Sequence, residues 1–500
     1  MPSSAPSRVT QADFAAGMFR SLAPELIPQN GSYDLTNALL DENGAVTQRG
    51  GGAYVTTADL GFSPQFIWSG WLTGGRVTII GDATHLKVVD ESTGAVTDLS
   101  GSVTAGARPA VMRGTIFLPG GDTWTGTGAI GSATHAATYY AVAGRRLLYV
   151  DGSDVKFSAI DDATTYDVND YHAVPGGVVP IGLLGVRDKA AVFTTEGVWL
   201  ISGLTMDLTD ASGNVQQTLD RYGDIVLWGD LGVVPWQNGA IVPALDGVWV
   251  MQVGSASEVA QPFARISDAI SLLYRRYVAL GYDVGQAQVF RGHYFLPIVE
   301  GSSLVDLLVC RLDATNSRGQ RTFPWTHFGG GGQMHAMAVT DTQPQRLLCT
   351  RAQRVVEGHY FDQAAHPLDA DGTAPELDIV TRDFATGALN PNTALKLRTR
   401  YEMVGSAGES PVLEAWCGTN RLRGSEWGLF DWGGSDWTPA FGELVALEGE
   451  APPDVGASHP YVWWVRKKAS FVRFRLKVSG GTSRLSLRSL EMFVRDAGRM

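Results

Sequence analysis

The chain is poor in the features that mark secreted and membrane-spanning proteins. It has three cysteines in 500 residues, Cys310, Cys349 and Cys417, which are too few and too scattered for a disulfide framework or a zinc site. No apolar run approaches the roughly 20 residues that a membrane helix needs. The first residues carry no basic segment followed by an apolar one, so we expect no secretory signal. These features favour assembly in a reducing compartment.

Positive charge is also scarce. The formal net charge is −12 and the isoelectric point is about 5.2. Residues 396–500 hold 15 Lys and Arg against 12 Asp and Glu, whereas the rest of the chain holds 24 against 39. A surface that grips nucleic acid needs a high density of Lys and Arg to neutralise phosphates. The sequence therefore predicts an acidic body that does not hold DNA and a mildly basic C-terminal region.

Motifs that carry chemistry are missing. We find no P-loop, no His-Glu-x-x-His motif and no nucleophile elbow in a strand-to-helix context. His327 and His335 are eight residues apart across a glycine-rich segment, which is poor spacing for metal ligands. We therefore predict no catalytic, metal or cofactor site, and we expect that the chain is not an enzyme.

Two groups of acidic residues have the composition of a calcium loop or a carboxylate site. Asp161, Asp162, Asp167 and Asp170 form the first group, and Asp369, Asp371 and Glu376 form the second. A calcium loop needs oxygen ligands at alternate positions and a closing bidentate acid, and Glu376 is misplaced for that role. We interpret both groups as solvated turn aspartates.

The sequence is rich in glycine, with 60 residues, and one glycine-led phrase recurs along it. A glycine is followed, after one or two variable residues, by a run of aromatic and β-branched residues. The seven glycines that begin these phrases are Gly75, Gly114, Gly144, Gly197, Gly247, Gly292 and Gly358. A degenerate repeat of this length is typical of the sheet-forming units of a β-propeller.

The pattern predicts an all-β fold in three parts. Residues 1–60 form an extended N-terminal arm that contains a hairpin closed at Asn43 and Gly44. Residues 61–395 form a β-propeller-like body, in which 263–280 is the one helix-like window and Ser267 and Asp268 are candidate caps. Residues 396–500 alternate charged and apolar residues and predict an antiparallel β-sandwich.

The C-terminal region also carries the candidate contact residues. Arg466, Lys467 and Lys468 form the densest basic spot, either as a solvated strand end or as a contact with phosphate or an acidic partner. Arg473 and Arg475 follow on the next alternating stretch. The tryptophans of this region indicate a tryptophan-rich core or, alternatively, an interface with another subunit; they are Trp416, Trp427, Trp432, Trp437, Trp463 and Trp464.

Four stretches make the chain resemble the tail hub or nozzle proteins of short-tailed bacteriophages, including the packaged-DNA stabilisation proteins. The first is the leader at 30–37 with Gln48, Arg49, Gly50 and Gly51, which resembles the "Asn … Arg-x-Gly" turn that precedes the first blade in that family. The others are 163–171 with 178–188, then 190–202, and finally the basic strand at 465–477. The likeness covers most of the chain and consists of similar residue patterns in the same order.

The resemblance implies a structural protein of the virion tail, assembled in the host cytoplasm. Six copies would form a ring below the portal and adaptor proteins, continue the channel for double-stranded DNA, help to retain the packaged genome, and dock tail fibres or a needle. The basic residues Arg466, Lys467, Lys468, Arg473 and Arg475 would contact other subunits or acidic neighbours.

Two other interpretations stay open. The first is a carbohydrate-binding or carbohydrate-cleaving β-propeller, because exposed tryptophan and tyrosine beside aspartate suit sugar recognition. The second is an interaction scaffold with no connection to phages. The four-glycine segment at 329–332 fits either a gate or a long blade connection, and we favour the connection.

Overall fold

The computed structural model describes residues 7–104, 106–166, 170–205, 217–253, 262–301, 303–316, 318–329, 334–362, 366, 368–385, 392–404, 412–420, 445–447, 460–469, 471–479 and 484–495. By their internal contacts these residues divide into two compact units. The propeller unit comprises Ala53–Val309 and Gly330–Gly358. The two-sheet unit comprises Met1–Gly52, Cys310–Gly329 and His359–Met500. No helix in the described ranges is long and apolar enough to span a membrane.

The strands of the leader are β1 (Ser7–Gln11), β2 (Gly17–Met18), β3 (Gly31–Thr36), β4 (Ala38–Leu40), β5 (Val46–Gln48) and β6 (Gly52–Tyr54). The middle of the chain contains β7 (Phe66–Leu72), β8 (Gly75–Gly81), β9 (Leu86–Val89), β10 (Val96–Leu99), β11 (Ala110–Met112), β12 (Thr115–Phe117), β13 (Asp122–Trp124), β14 (Gly131–Ser132), β15 (Tyr140–Ala143), β16 (Arg146–Asp151), β17 (Asp154–Phe157), β18 (Tyr171–Ala173), β19 (Gly182–Val186), β20 (Lys189–Thr194), β21 (Gly197–Ser202), β22 (Thr218–Gly223), β23 (Val234–Trp236), β24 (Gly239–Ala244), β25 (Gly247–Gln252) and β26 (Phe263–Arg265).

Helix α1 (Ser271–Ala279) then precedes β27 (Asp283–Val284), β28 (Gln288–Phe290), β29 (His293–Glu300), β30 (Ser303–Arg311), β31 (Trp325–Phe328), β32 (Met334–Val339), β33 (Leu347–Arg351) and β34 (Arg354–Gly358). The last strands are β35 (Leu377–Thr381), β36 (Phe384–Ala385), β37 (Asn392–Val404), β38 (Val412–Asn420), β39 (Val445–Ala446), β40 (Pro460–Ala469), β41 (Phe471–Ser479) and β42 (Arg484–Arg495). Single 3-10 turns lie at Pro24–Leu26, Pro175–Gly177, Asp230–Gly232 and Asp268–Ile270.

The propeller unit consists of seven small sheets, which we call blades 1 to 7. Blades 1 to 5 are the consecutive antiparallel groups β7–β10, β11–β14, β15–β18, β19–β22 and β23–β26. In blade 6, β27 and β28 both pair with β29, which pairs with β30. Blade 7 is β32, β33 and β34, closed on its outer edge by β6 from the leader. The all-β, propeller-like fold predicted from the sequence is confirmed.

The seven blades pack in sequence order and close into a ring. Hydrophobic clusters join blade 1 to 2, 2 to 3, 3 to 4 and 4 to 5. Blades 5 and 6 meet where the Tyr294 hydroxyl donates to the carbonyl of Gly232 at 2.7 Å. Blades 6 and 7 share backbone hydrogen bonds between Gln286 and the strand that begins at Met334. One further cluster contains Ile67 and Ile80 of blade 1 with Leu348 and Val355 of blade 7, so the last blade packs on the first.

The repeat glycines explain this architecture, because each of the seven lies in a different blade or in the turn that leads into one of its strands. Six of them have a positive φ, from 56° at Gly144 to 158° at Gly247, which favours glycine. Gly358 differs, since it ends a strand instead of starting one.

The two-sheet unit brings the leader and the C-terminal region into the same sheets. The first sheet has the order β4-β5-β42-β37-β40, with β1 also paired to β42. The second contains β31-β3-β35-β41-β38-β39, with β2 paired to β3 and β36 to β41. Along β41 the even-numbered residues Val472, Phe474, Leu476 and Val478 are buried, as the alternating pattern predicts.

Three predicted features differ in detail. The predicted bounds 1–60, 61–395 and 396–500 do not coincide with the two units, because β31, β35 and β36 pair with leader and C-terminal strands. The window 263–280 contains a strand as well as helix α1. Ser267 does not cap that helix, since its hydroxyl accepts a hydrogen bond from the Val248 amide at 2.9 Å. The hairpin at Asn43 and Gly44 is present between β4 and β5.

Candidate functional site

Arg475 lies on the outer face of the second sheet, beside acids of the neighbouring strand. Its Nε is 3.0 and 2.9 Å from the two carboxylate oxygens of Asp378 on β35. That hydrogen bond raises the pKa of Arg475 above its usual value. Lys477 pairs with Glu376 in the same way, and both cations lie 6.0 Å from the Trp416 ring. Both cations of this face are thus paired within the chain beside an aromatic ring, and a partner contact of Arg475 stays a prediction.

Arg473 has a different position, and the prediction that it contacts a partner requires correction. Its side chain is only 6% exposed, and its Nε donates to Asp383 Oδ1 at 2.8 Å. Its guanidinium also lies 5.0 Å from the Tyr33 ring. Arg473 alternates with the buried residues Val472 and Phe474 and is itself buried because Asp383 and Tyr33 cover it.

Arg466, Lys467 and Lys468 lie on β40 at the edge of the first sheet. Lys467 and Lys468 pair in the backbone with Ala394 and Thr393 of β37. The side chains of these three residues lie outside the described part of the structure, so their contact role stays a prediction. Trp427, Trp432, Trp437 and residues 330–332 of the four-glycine segment also lie outside the described residues.

The leader motif forms a buried ionic constellation around Arg49. The Arg49 guanidinium donates to both carboxylate oxygens of Asp369, at 2.8 and 3.0 Å, and to Asn37 Oδ1 at 2.9 Å. The rings of Phe328 and Tyr360 lie 5.3 and 5.4 Å from the same guanidinium. Asp369 is thus an ion-pair partner, and the interpretation of it as a solvated turn residue is wrong because Arg49 is its buried counter-charge.

Asp162 and Asp371 accept hydrogen bonds from their own turns, as predicted. Glu376 pairs with Lys477 instead, and Asp167 lies outside the described residues. Asp162 accepts hydrogen bonds from the hydroxyls of Thr164 and Thr165, which lower its pKa to about 2. Asp371 accepts hydrogen bonds from both the amide and the hydroxyl of Thr373. Asp161 pairs with Arg113 and Arg145. Within the described ranges no group of three or more His, Cys, Asp or Glu residues is placed to hold a metal ion.

His327 takes part in a second polar cluster of the two-sheet unit. Its Nε2 lies 2.8 Å from Asp34 Oδ1 and 2.9 Å from the hydroxyl of Thr36, while Arg20 contacts the other Asp34 oxygen at 3.1 Å. Burial raises the pKa of Asp34, but the charge and hydrogen bond of His327 and the charge of Arg20 outweigh it, so the pKa lies below its usual value. The cluster joins β31 to the leader strand β3.

Another ion pair, between Arg108 and Asp230, lies in the propeller unit. Arg108, in the segment between blades 1 and 2, donates to Asp230 at 3.1 and 3.0 Å. It also donates to the carbonyl of Val233 in blade 5 at 2.7 Å and lies within 3.4 Å of the Leu183 carbonyl in blade 4. Arg108 therefore links blades on opposite sides of the ring and crosses its centre.

Sequence reasoning did not find the partners of these arginines. Arg49 and Asp369 are 320 positions apart, and Arg108 and Asp230 are 122 apart. The sequence singles out Arg49 only as part of the leader motif. It singles out Asp369 only as a member of an acidic group in a turn-rich segment.

No model of a known protein family matches the chain, and no curated protein matches it. Solved structures do. A chain of a mitotic checkpoint complex is 11% identical, with a TM-score of 0.36, over 66% of this chain and 99% of its own length. Raptor from Chaetomium thermophilum is 10% identical, with a TM-score of 0.41, over 63% of this chain and 30% of its own. YCF48 from Cyanidioschyzon merolae is 8% identical, with a TM-score of 0.37, over 62% of this chain and 98% of its own.

Proposed function

We propose that the chain is a structural protein of a bacteriophage tail, a hub or nozzle component. In this proposal about six copies form a closed ring. The ring continues the DNA channel below the portal and adaptor proteins, helps to retain the packaged genome and docks tail fibres or a needle.

The observation that carries the proposal is the role of the leader motif. Arg49, Gly50 and Gly51 belong to one of the four stretches that carry the family resemblance, and they lie directly before β6, the strand that closes blade 7. Arg49 is anchored by Asn37 and Asp369, and the Gly51 amide donates to the carbonyl of His366 at 2.8 Å. The resemblance implies such a turn at the end of the leader, so the anchored position of Arg49 supports the proposal.

The propeller unit adds two supporting features. Its centre is crossed by the Arg108 side chain, so a duplex would have to pass between copies instead of through one propeller. Its sequence holds 17 Lys and Arg against 27 Asp and Glu, a net charge of −10. An acidic wall of this kind repels phosphates and allows a duplex to slide.

The test is quantitative mass spectrometry of particles purified from the native source, with the portal protein as the internal standard. The expected result is about six copies of this chain for about twelve portal chains, as ring symmetry requires. Absence of the chain from particles would overturn the proposal, and binding to a panel of polysaccharides would then favour the carbohydrate interpretation.

A further inference from the structure

The outer face of the first sheet carries a cluster in which the described basic residues outnumber the acids, and we call it the arginine face. It comprises Arg8 on β1, Arg398 and Arg400 on β37, and Glu491 on β42. The strands are in register at this point, since Thr10 and Arg398 both lie opposite Glu491. The residues on which the face depends come from both ends of the chain.

Three guanidiniums share one carboxylate on this face. Glu491 is 2% exposed and lies 3.4 Å from Arg8, 3.8 Å from Arg398 and 3.5 Å from Arg400. The three arginines are 50%, 33% and 56% exposed. These distances exceed the usual 2.7–3.2 Å of an N–H···O hydrogen bond. The face therefore keeps two excess positive charges and donor groups that an anionic partner can use.

Aromatic rings lie beside the charges. Lys396 lies 4.6 Å from the Phe493 ring and pairs in the backbone with Trp464, which is 50% exposed. Arginine and tryptophan together are the side chains that most often dominate the binding energy of protein interfaces. A sheet face with this composition suits a protein surface of opposite charge.

We propose that the arginine face binds the acidic propeller unit of a second copy of this chain. The propeller unit has a net charge of −10, so the partner with complementary charge is present in every copy. A contact between two different surfaces of the same chain is head-to-tail, and such contacts generate rings when the rotation closes. This inference rests on the ring of the proposed function and names the surfaces that build it.

The direct test is zero-length carbodiimide cross-linking of the full chain, mixed from unlabelled and ¹⁵N-labelled protein. The reagent joins Lys396 to a carboxylate that it touches, and a peptide pair of mixed isotopes identifies a link between copies. The expected products are mixed-isotope links from Lys396 to Asp or Glu residues of the propeller unit, which weaken as salt rises. Wild-type protein that gives no such links would overturn the inference.

A matched pair of variants makes the test specific. R8Q/R400Q removes two exposed arginines that share Glu491 and leaves Arg398 to pair with it. R113Q/R145Q removes two arginines, 64% and 69% exposed, that share Asp161 in the propeller unit. We expect R8Q/R400Q to lower the mixed-isotope yield roughly three- to tenfold, as two exposed charge pairs allow, while R113Q/R145Q keeps it. Equal yields in both variants would overturn the inference.

Duplex DNA is the competing occupant of a basic face. Fluorescence anisotropy with a labelled duplex measures this binding in the same variants. Loss of DNA binding in R8Q/R400Q, without mixed-isotope links in the wild type, would assign the face to phosphates and reject the copy-to-copy contact. The outcome is separate from the particle measurement, because a chain absent from virions can still form these links and a virion ring can form through other surfaces.

Discussion

At the scale of single residues, the sharpest prediction concerns the Arg49–Asp369 pair. Both side chains are 6% exposed, and the carboxylate receives two hydrogen bonds from the guanidinium. Removing one partner of a buried pair leaves an uncompensated charge and typically costs about 3–5 kcal/mol. We expect Asp369→Ala to lower the free energy of unfolding by that amount, measured by urea titration with tryptophan fluorescence.

The control for that variant is an exposed ion pair of the same type. Asp59 is 65% exposed and pairs with Arg354 at the surface of the propeller unit. Since exposed pairs contribute about 0–1 kcal/mol, Asp59→Ala should change the stability little. Equal losses in the two variants would show that the Arg49 pair is no more important than a surface contact.

A second residue-scale prediction is the response of Asp34 to acid. Its pKa lies below the usual 3.8 in the folded chain, because His327 and Arg20 outweigh the effect of burial. Because the pKa of Asp34 is lower in the folded chain than in the unfolded chain, its charge stabilises the fold at pH values above the unfolded pKa. That stabilisation disappears as the pH falls through the folded pKa. Asp34→Asn should therefore cost roughly 1.5–3 kcal/mol at neutral pH, the range for a hydrogen bond to a charged group.

The measurement is the melting temperature of both proteins between pH 7 and pH 2. The difference between wild type and Asp34→Asn should shrink as the pH falls below 3.8 and through the folded pKa of Asp34. A difference that stays constant down to pH 2 would contradict the role given to the Asp34 charge.

At the scale of elements, strands and turns are the features that the sequence predicts best. Alternation predicted the buried face of β41, and six of the seven repeat glycines mark a turn or the start of a strand. These features were readable because they depend on residues within a few positions of each other. The burial of Arg473 was not readable, since it depends on Asp383, 90 positions away, and on Tyr33 in the leader.

The prediction at the scale of elements concerns Gly185, which lies in strand β19 of blade 4. A Cβ added to Gly185 of β19 would collide with the backbone carbonyl of Val142 on β15, so blades 3 and 4 approach each other backbone to backbone here. We expect Gly185→Ala to destabilise the chain by roughly 1–3 kcal/mol, the usual cost of overpacking. Chemical denaturation measures the effect.

Gly131→Ala is the matched control, because its added Cβ would meet the Thr123 hydroxyl at 3.1 Å, and that side chain can move. A loss in Gly131→Ala as large as in Gly185→Ala would indicate a general effect of replacing strand glycines. It would then not be evidence for close contact between the two blades.

At the scale of the whole molecule, the sequence predicted the class of fold but not how the chain is divided. The blade number was not readable, because the repeat glycines enter different strands of their blades and are 30 to 66 residues apart. The sequence predicts only the C-terminal part of the two-sheet unit, as a sandwich over residues 396–500. Its leader strands, such as β3, and its inserted strand β31 join by pairings across hundreds of residues, as between Thr36 and His327.

Ring closure is a property of the whole propeller, and one carboxylate lies at its seam. Glu91 of blade 1 is 8% exposed and forms ion pairs with Arg76 of the same blade and Arg346 of blade 7. Arg346 also contacts Glu357 of blade 7 at 3.1 Å. Because the hydrophobic contacts of each blade are with its neighbours, loss of Glu91 should open the ring locally between its first and last blades.

We therefore expect Glu91→Ala to accelerate amide hydrogen exchange in β7, β8 and β33 while blades 3 to 5 keep their rates. The matched control is Glu300→Ala, which removes an exposed glutamate from blade 6. Faster exchange in all seven blades would mean that the propeller opens as one cooperative unit. In that case the seam would have no special role, and closure would depend on the hydrophobic cluster around Ile67 and Leu348.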